Sequence, residues 1–169
     1  MSTSELVVYF TAEKQAAALI FGLGIISAIL AAYLWLTGSV FKAMAWPLIV
    51  IGAGQIAVGA GLLLRTDPQF ARLQDGLRSS PKATVESELG RMAKVNRSFK
   101  IIEAIEVLLL LAGLVAALVL RSRHLAWASV GMGLVLQAAV TLVFDLFAEQ
   151  RALVYTRWLM EFSHKAGGA

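Results

Sequence analysis

Four carboxylates and two carboxamides sit where an oily chain has little reason to carry them. Residues 101–120 read IIEAIEVLLLLAGLVAALVL, with Glu103 and Glu106 three apart ahead of the leucines. Asp145 and Glu149 stand four apart in another apolar run. Spacings of three and four put each pair on one face of a helix. Clustered carboxylates at membrane depth can hold a proton or a cation. The structural alternative is a set of ion pairs with Arg97, Lys100 and Arg151, each about a turn away. Glu106 is the residue this alternative explains least well. Gln55 lies near the middle of a third apolar run and Gln137 near the middle of the run that holds Asp145, where hydrocarbon offers an amide no partner. Either they hydrogen-bond to each other or to backbone, worth about 1 kcal/mol, or they line a polar path with Ser27, Ser129 and Thr141.

The elements that must position these groups are membrane helices. The chain has 169 residues, of which 59% are hydrophobic and only 15% charged. Its mean hydropathy is +0.75. A soluble domain of this size could not hide so much apolar surface, and a bilayer removes the need. Four runs, about 16–36, 45–64, 101–120 and 125–147, each approach the ~20 apolar residues that cross a hydrocarbon core as a helix. The expected fold is therefore all-α: a polytopic membrane protein, a four-transmembrane-helix bundle of two hairpins. The first run has a mixed-charge flank and is too long for a signal peptide's apolar segment, so it reads as a retained span.

Charge distribution predicts the orientation. Of the fifteen Lys and Arg residues, twelve fall on the side shared by the amino end, the middle connection and the carboxyl end. Only Lys42, Arg121 and Arg123 fall on the other. Basic residues favour the cytoplasmic side, so both termini are expected there, in a bacterial inner membrane. Trp35, Trp46 and Trp127 fall at the outer ends of spans, as interfacial anchors do. The basic balance thus reads as topology and attraction to lipid headgroups rather than nucleic-acid binding.

Between spans the pattern stays helical. Ser2 and Glu5 have capping-box spacing for a helix over 3–14. Asp67 is placed to cap a separate interfacial helix over 68–77 that begins at Pro68. Ser80 and Pro81 start another over 81–100, where Val85, Leu89, Met92, Val95 and Phe99 form an apolar stripe. The last helix continues over 148–165, with Leu153, Trp158, Leu159 and Phe162 apolar among charges. About 17 extra residues at 1.5 Å each carry the third and fourth helices roughly 25 Å past the bilayer, into the cytoplasm. A weak echo, AWPLIVIGAGQIAVG against AWASVGMGLVLQAAV, suggests that the hairpins are related by a parallel repeat.

Gly52, Gly54, Gly59 and Gly61 make the second span smooth, the strongest association signal in the chain. No catalytic constellation is apparent. There is no cysteine, no nucleophile motif, and His124 and His164 are too far apart to share a metal. No cofactor is expected. The leading expectation is a self-associating, structural or accessory inner-membrane subunit, a homo-oligomer with the lipid bilayer and other membrane subunits as partners. An oligomeric ion channel or small transporter using the intramembrane Glu and Gln residues is the alternative, and a lipid-directed enzyme the second.

Overall fold

The computed structural model describes residues 4–167, with side chains described over 5–164. Every described element is helical. Helix α1 spans Ser4–Leu36, α2 Ala45–Ser79, α3 Pro81–Val119 and α4 Leu125–Gly167, with a turn of 3-10 helix at Lys42–Met44. At 1.5 Å per residue the four are about 50 to 65 Å long, roughly twice a hydrocarbon core. All four are long and apolar enough to cross a membrane. Helix α1 packs chiefly on α2, and α3 on α4. Helix α4 also meets α1 and α2, whereas the backbones of α1 and α3 stay apart. We call the end holding the α2–α3 connection proximal and the other end distal.

Within each pair, glycine sets the spacing. A Cβ on Gly24 would stand 2.6 Å from the Gly52 carbonyl oxygen, and one on Gly52 3.3 Å from the Gly24 carbonyl. The same reciprocal contact joins α3 and α4: Gly113 to the Gly131 carbonyl at 2.8 Å, and Gly131 to the Gly113 carbonyl at 2.6 Å. Backbones this close leave no room for any side chain, which is how helices gain dispersion contact where no hydrophobic effect drives them together. Gly59 meets Phe21 and Ala17 in the same way. Gly54 and Gly61 have open space where a Cβ would be. The four glycines of the second span therefore do not act as one surface. Gly52 and Gly59 close the α1–α2 pair, and Gly54 and Gly61 face away from it.

The proximal core is built from all four helices. Leu6 and Phe10 of α1, Leu73 and Leu77 of α2, Val85 and Met92 of α3, and Tyr155 and Leu159 of α4 are buried together. Tyr9 stacks on Tyr155 with ring centroids 4.1 Å apart. All five residues of the apolar stripe expected over 85–99 face this core, as do Trp158, Leu159 and Phe162 of the last helix, whereas Leu153 is exposed. Further along, the outward faces are lined by exposed Ile29, Leu108, Val115 and Leu118. So much outward apolar surface suits lipid rather than water.

Three local expectations need correction. No separate helix begins at Pro68: α2 runs through it. Proline removes one backbone donor, but buried Thr66 and Leu73 on either side hold the helix to its neighbours. Asp67 caps nothing and instead receives Lys14 Nζ at 2.6 Å. Nor is 3–14 a separate helix, since α1 is continuous from Ser4; Ser2 of the expected capping box lies outside the described residues. Ser80 does occupy the N-cap position before Pro81, but its side chain makes no capping bond. It is the single residue between α2 and α3, and a Cβ on Gly76 would meet Thr84 Oγ1 at 2.7 Å where the two helices cross. At the distal end Gly38, with φ 62°, turns the chain out of α1, a conformation that glycine adopts without strain.

Candidate functional site

The two helix pairs are tied together at one depth by a chain of side chains. Gln55 Nε2 donates to Gln137 Oε1 at 3.0 Å. Gln137 Nε2 donates to Ser27 Oγ at 2.7 Å, and the Ser27 hydroxyl donates to the Leu23 carbonyl at 2.9 Å. Helices α1, α2 and α4 are thus joined where hydrocarbon leaves polar groups no other choice. Distal to this junction the packing is tight: a Cβ on Gly133 would stand 2.5 Å from Pro47 Cγ. The two glutamines pair, as the structural alternative for them expects. Ser129 turns its hydroxyl back on the Leu125 carbonyl and takes no part in the junction.

Proximal to the junction the pairs separate and leave a cleft of about 650 Å³, lined from all four helices. That is the size of a small-molecule site. Its walls are largely apolar, with Ile20, Val58, Leu62, Phe99 and Phe144 among them. Val58 on α2 is 56% exposed and Ile102 on α3 41% exposed, and both line the cleft, so it opens sideways to whatever surrounds the helices. Gly54 lines it too.

Its proximal rim is polar. Glu88 and Arg91 form a two-pronged ion pair, with Nε to Oε2 at 2.9 Å and Nη2 to Oε1 at 2.7 Å. Tyr155 donates its hydroxyl to the same Glu88 Oε1 at 3.1 Å. Reorienting the Gln69 amide lets its oxygen accept from the Arg91 guanidinium as well. Burial pushes the Tyr9 phenol up to about 12, with Glu13 adding to the rise. Burial likewise raises Glu13, opposed by Arg91 and Arg65. None of these rim residues was singled out from sequence. The Glu88–Arg91 spacing of three was the only available signal, and on exposed helices it marks little.

The four carboxylates split into two kinds. Lys100 Nζ lies 2.7 Å from Glu149 Oε1 and 3.4 Å from Glu103 Oε2. One ammonium therefore holds one carboxylate from each of the paired helices, α3 and α4. Arg97 and Arg151 form no ion pair among the described residues, which corrects the broader network expected. Glu106 and Asp145 have no ion-pair partner among the described residues. Both line the cleft, Glu106 from α3 and Asp145 from the α4 helix packed against it. Glu106 is only 7% exposed, and no donor faces its Oε2. Thr141 stands beside it but gives its hydroxyl proton to the Gln137 carbonyl at 2.9 Å. Lys100, nearly two turns before Glu106, reaches the other two carboxylates because Glu103 and Glu149 lie nearer the proximal end.

Comparison with known proteins finds no matching family model, curated protein or solved structure. The site is therefore read from its own geometry.

The junction is expected to behave as a unit. Gln137→Leu leaves Gln55 and Ser27 without their partner and should lower stability by about 1 kcal/mol. Adding Gln55→Leu should then cost less than it does alone, because the bond is already gone. Thermal melts of the two single variants and the double variant in mild detergent check this. Strict additivity would mean that the amides do not depend on each other.

Proposed function

We propose that this protein is an integral membrane protein with both termini on the cytoplasmic side of a bacterial inner membrane, and that it binds an amphiphilic guest in the cleft between its helix pairs. The cleft carries the reading. It has apolar walls, it opens sideways through Val58 and Ile102, and its cationic rim of Arg65, Lys94 and Arg151 lies at the proximal end. A guest drawn from the surrounding lipid would enter from the side. An open channel is less well supported, because the Ser27–Gln137–Gln55 junction and the Gly133–Pro47 contact fill the distal half. Binding, or carriage between two states of the cleft, fits better than free conduction.

The orientation follows from the distribution of basic residues. Reporter fusions after Ser39 and Arg123 should read as external, and a fusion after Ser79 as internal. The reverse pattern would invert the proposal.

Binding is tested with Nile red, an uncharged solvatochromic probe, in nanodiscs carrying the protein against empty ones. Saturable binding is expected. Gly54→Trp, at a position with open space for a side chain, should fill the cleft and weaken binding by at least about tenfold, or 1.4 kcal/mol. Its melting temperature should stay close to the parent's. A protein that binds no probe, or a Gly54→Trp variant that binds as before, would defeat the reading.

Self-association is the second reading, now resting on a narrower surface. Ala53, Ala57 and Gly61 leave an exposed small-residue stripe on α2, of the kind along which membrane helices associate. Gly61→Leu should abolish any oligomer seen by native mass analysis in mild detergent. A parent that is only monomeric would end this second reading.

A further inference from the structure

Glu106 and Asp145 line the same cleft from α3 and α4, Glu106 is buried with its Oε2 unpartnered, and neither has an ion-pair partner among the described residues. Two ionised carboxylates on one largely apolar wall repel more strongly than they would in bulk water. The charged and titratable groups around them are known from every helix. Helix α3 adds Glu103, which is committed to Lys100, and, nearer the rim, Arg91 and Lys94. Helix α4 presents Asp145 itself and, nearer the rim, Arg151. Helix α1 contributes Tyr9 and Glu13, and α2 contributes Arg65, all at the rim. At the depth of the pair, α2 offers only the Gln55 amide, whose Oε1 is also buried and unpartnered. Among the described residues no cation is paired with either carboxyl group.

We propose that the pair holds one shared proton at rest, and that the guest of the cleft is a lipophilic organic cation that displaces it. This rests on the cleft's being a binding site, and adds to it the charge of the guest and the exchange. The balance is simple. With one proton the pair carries a single negative charge. When the cation enters, that proton leaves to water, and two carboxylates with one bound cation again carry a single negative charge. No buried charge is created, so the exchange avoids the main cost of placing ions in hydrocarbon.

The kind of cation follows from the walls. A metal ion takes six or more oxygen ligands if it is calcium, and magnesium keeps several waters. No group of three acidic, histidine or cysteine ligands is present among the described residues. Aromatic and branched side chains cannot complete such a shell. They do suit a diffuse cation, whose apolar substituents gain from burial and whose charge is attracted to the faces of Phe99 and Phe144. Arg65, Lys94 and Arg151 at the rim oppose entry of a cation from the proximal end. The side opening past Val58 and Ile102 is the favoured route.

The test uses the whole protein in nanodiscs and two probes, tetraphenylphosphonium and uncharged Nile red. Tetraphenylphosphonium should bind and release one proton per cation, read with a pH dye in weakly buffered solution. Its apparent affinity should fall by about tenfold per pH unit below the titration of the pair. Glu106→Gln, and independently Asp145→Asn, should weaken tetraphenylphosphonium binding by at least about tenfold and remove the proton release, yet still bind Nile red. Retained Nile red binding shows that the cleft is intact, so a misfolded variant is recognised and the other variant decides. Nile red binding without tetraphenylphosphonium binding by the parent overturns this inference and leaves the cleft standing. Loss of both probes by the parent overturns the cleft itself. Cation binding that is indifferent to pH or to both substitutions also overturns the exchange.

Discussion

The Gln137 side chain reaches across both helix pairs at once. Its nitrogen donates to Ser27 on α1 and its oxygen accepts from Gln55 on α2, while its backbone belongs to α4. Separating these groups would leave the amides unpaired, at a cost of about 1 kcal/mol. The pairs are therefore pinned at this depth. Distal to it, Gly133 on Pro47 keeps them closed. At the proximal end the core around Tyr9, Tyr155 and Met92 closes them again. The cleft lies between these two closures, where nothing joins the pairs.

Polarity is layered along that cleft in a way that separates structural charge from charge with another use. At the rim Glu88 is met by Arg91 and by the Tyr155 hydroxyl, so its burial is compensated on both oxygens. A little deeper, Lys100 bridges Glu103 and Glu149. The lysine's long flexible stem lets one ammonium serve carboxylates on two helices from an exposed position. Deeper still no lysine or arginine occurs in the spans, and Glu106 and Asp145 line the cleft with Thr141 and without an ion-pair partner among the described residues. An unbalanced buried charge is costly to stability. The cost is concentrated at one point, on the wall of a cleft large enough for a ligand.

Much of this was legible residue by residue. The two glutamines announce a partner because nothing else at mid-span can satisfy an amide, and they find each other. Reading the carboxylates as one ion-paired set holds for Glu103 and Glu149, which share Lys100, and not for Glu106, the residue that reading explained least well. The echo between the second and fourth runs aligns Gly52 with Gly131, and each meets a glycine of the preceding span. What the pattern misjudged was continuity. Asp67-Pro68 looks like a helix start because that is its commonest use, but the flanking Thr66 and Leu73 are buried, and packing outweighs one lost backbone bond.

By itself the sequence determined the all-helical architecture, four helices long and apolar enough to span a membrane, and the depths at which polar groups occur. Those properties are set along a single helix, by length, hydropathy and a 1.5 Å rise, and need no knowledge of neighbours. Only the tertiary structure decided which faces meet. It assigned Gly52 and Gly59 to closing α1 on α2 while leaving Gly54 and Gly61 open, and it gave Lys100 to Glu103 and Glu149 but not to Glu106. It also opened the cleft. The physical reason is that a helix presents several faces at nearly equal hydropathy in this chain. The choice among them is made by close backbone approach and by a few hydrogen bonds between residues up to 110 apart in sequence.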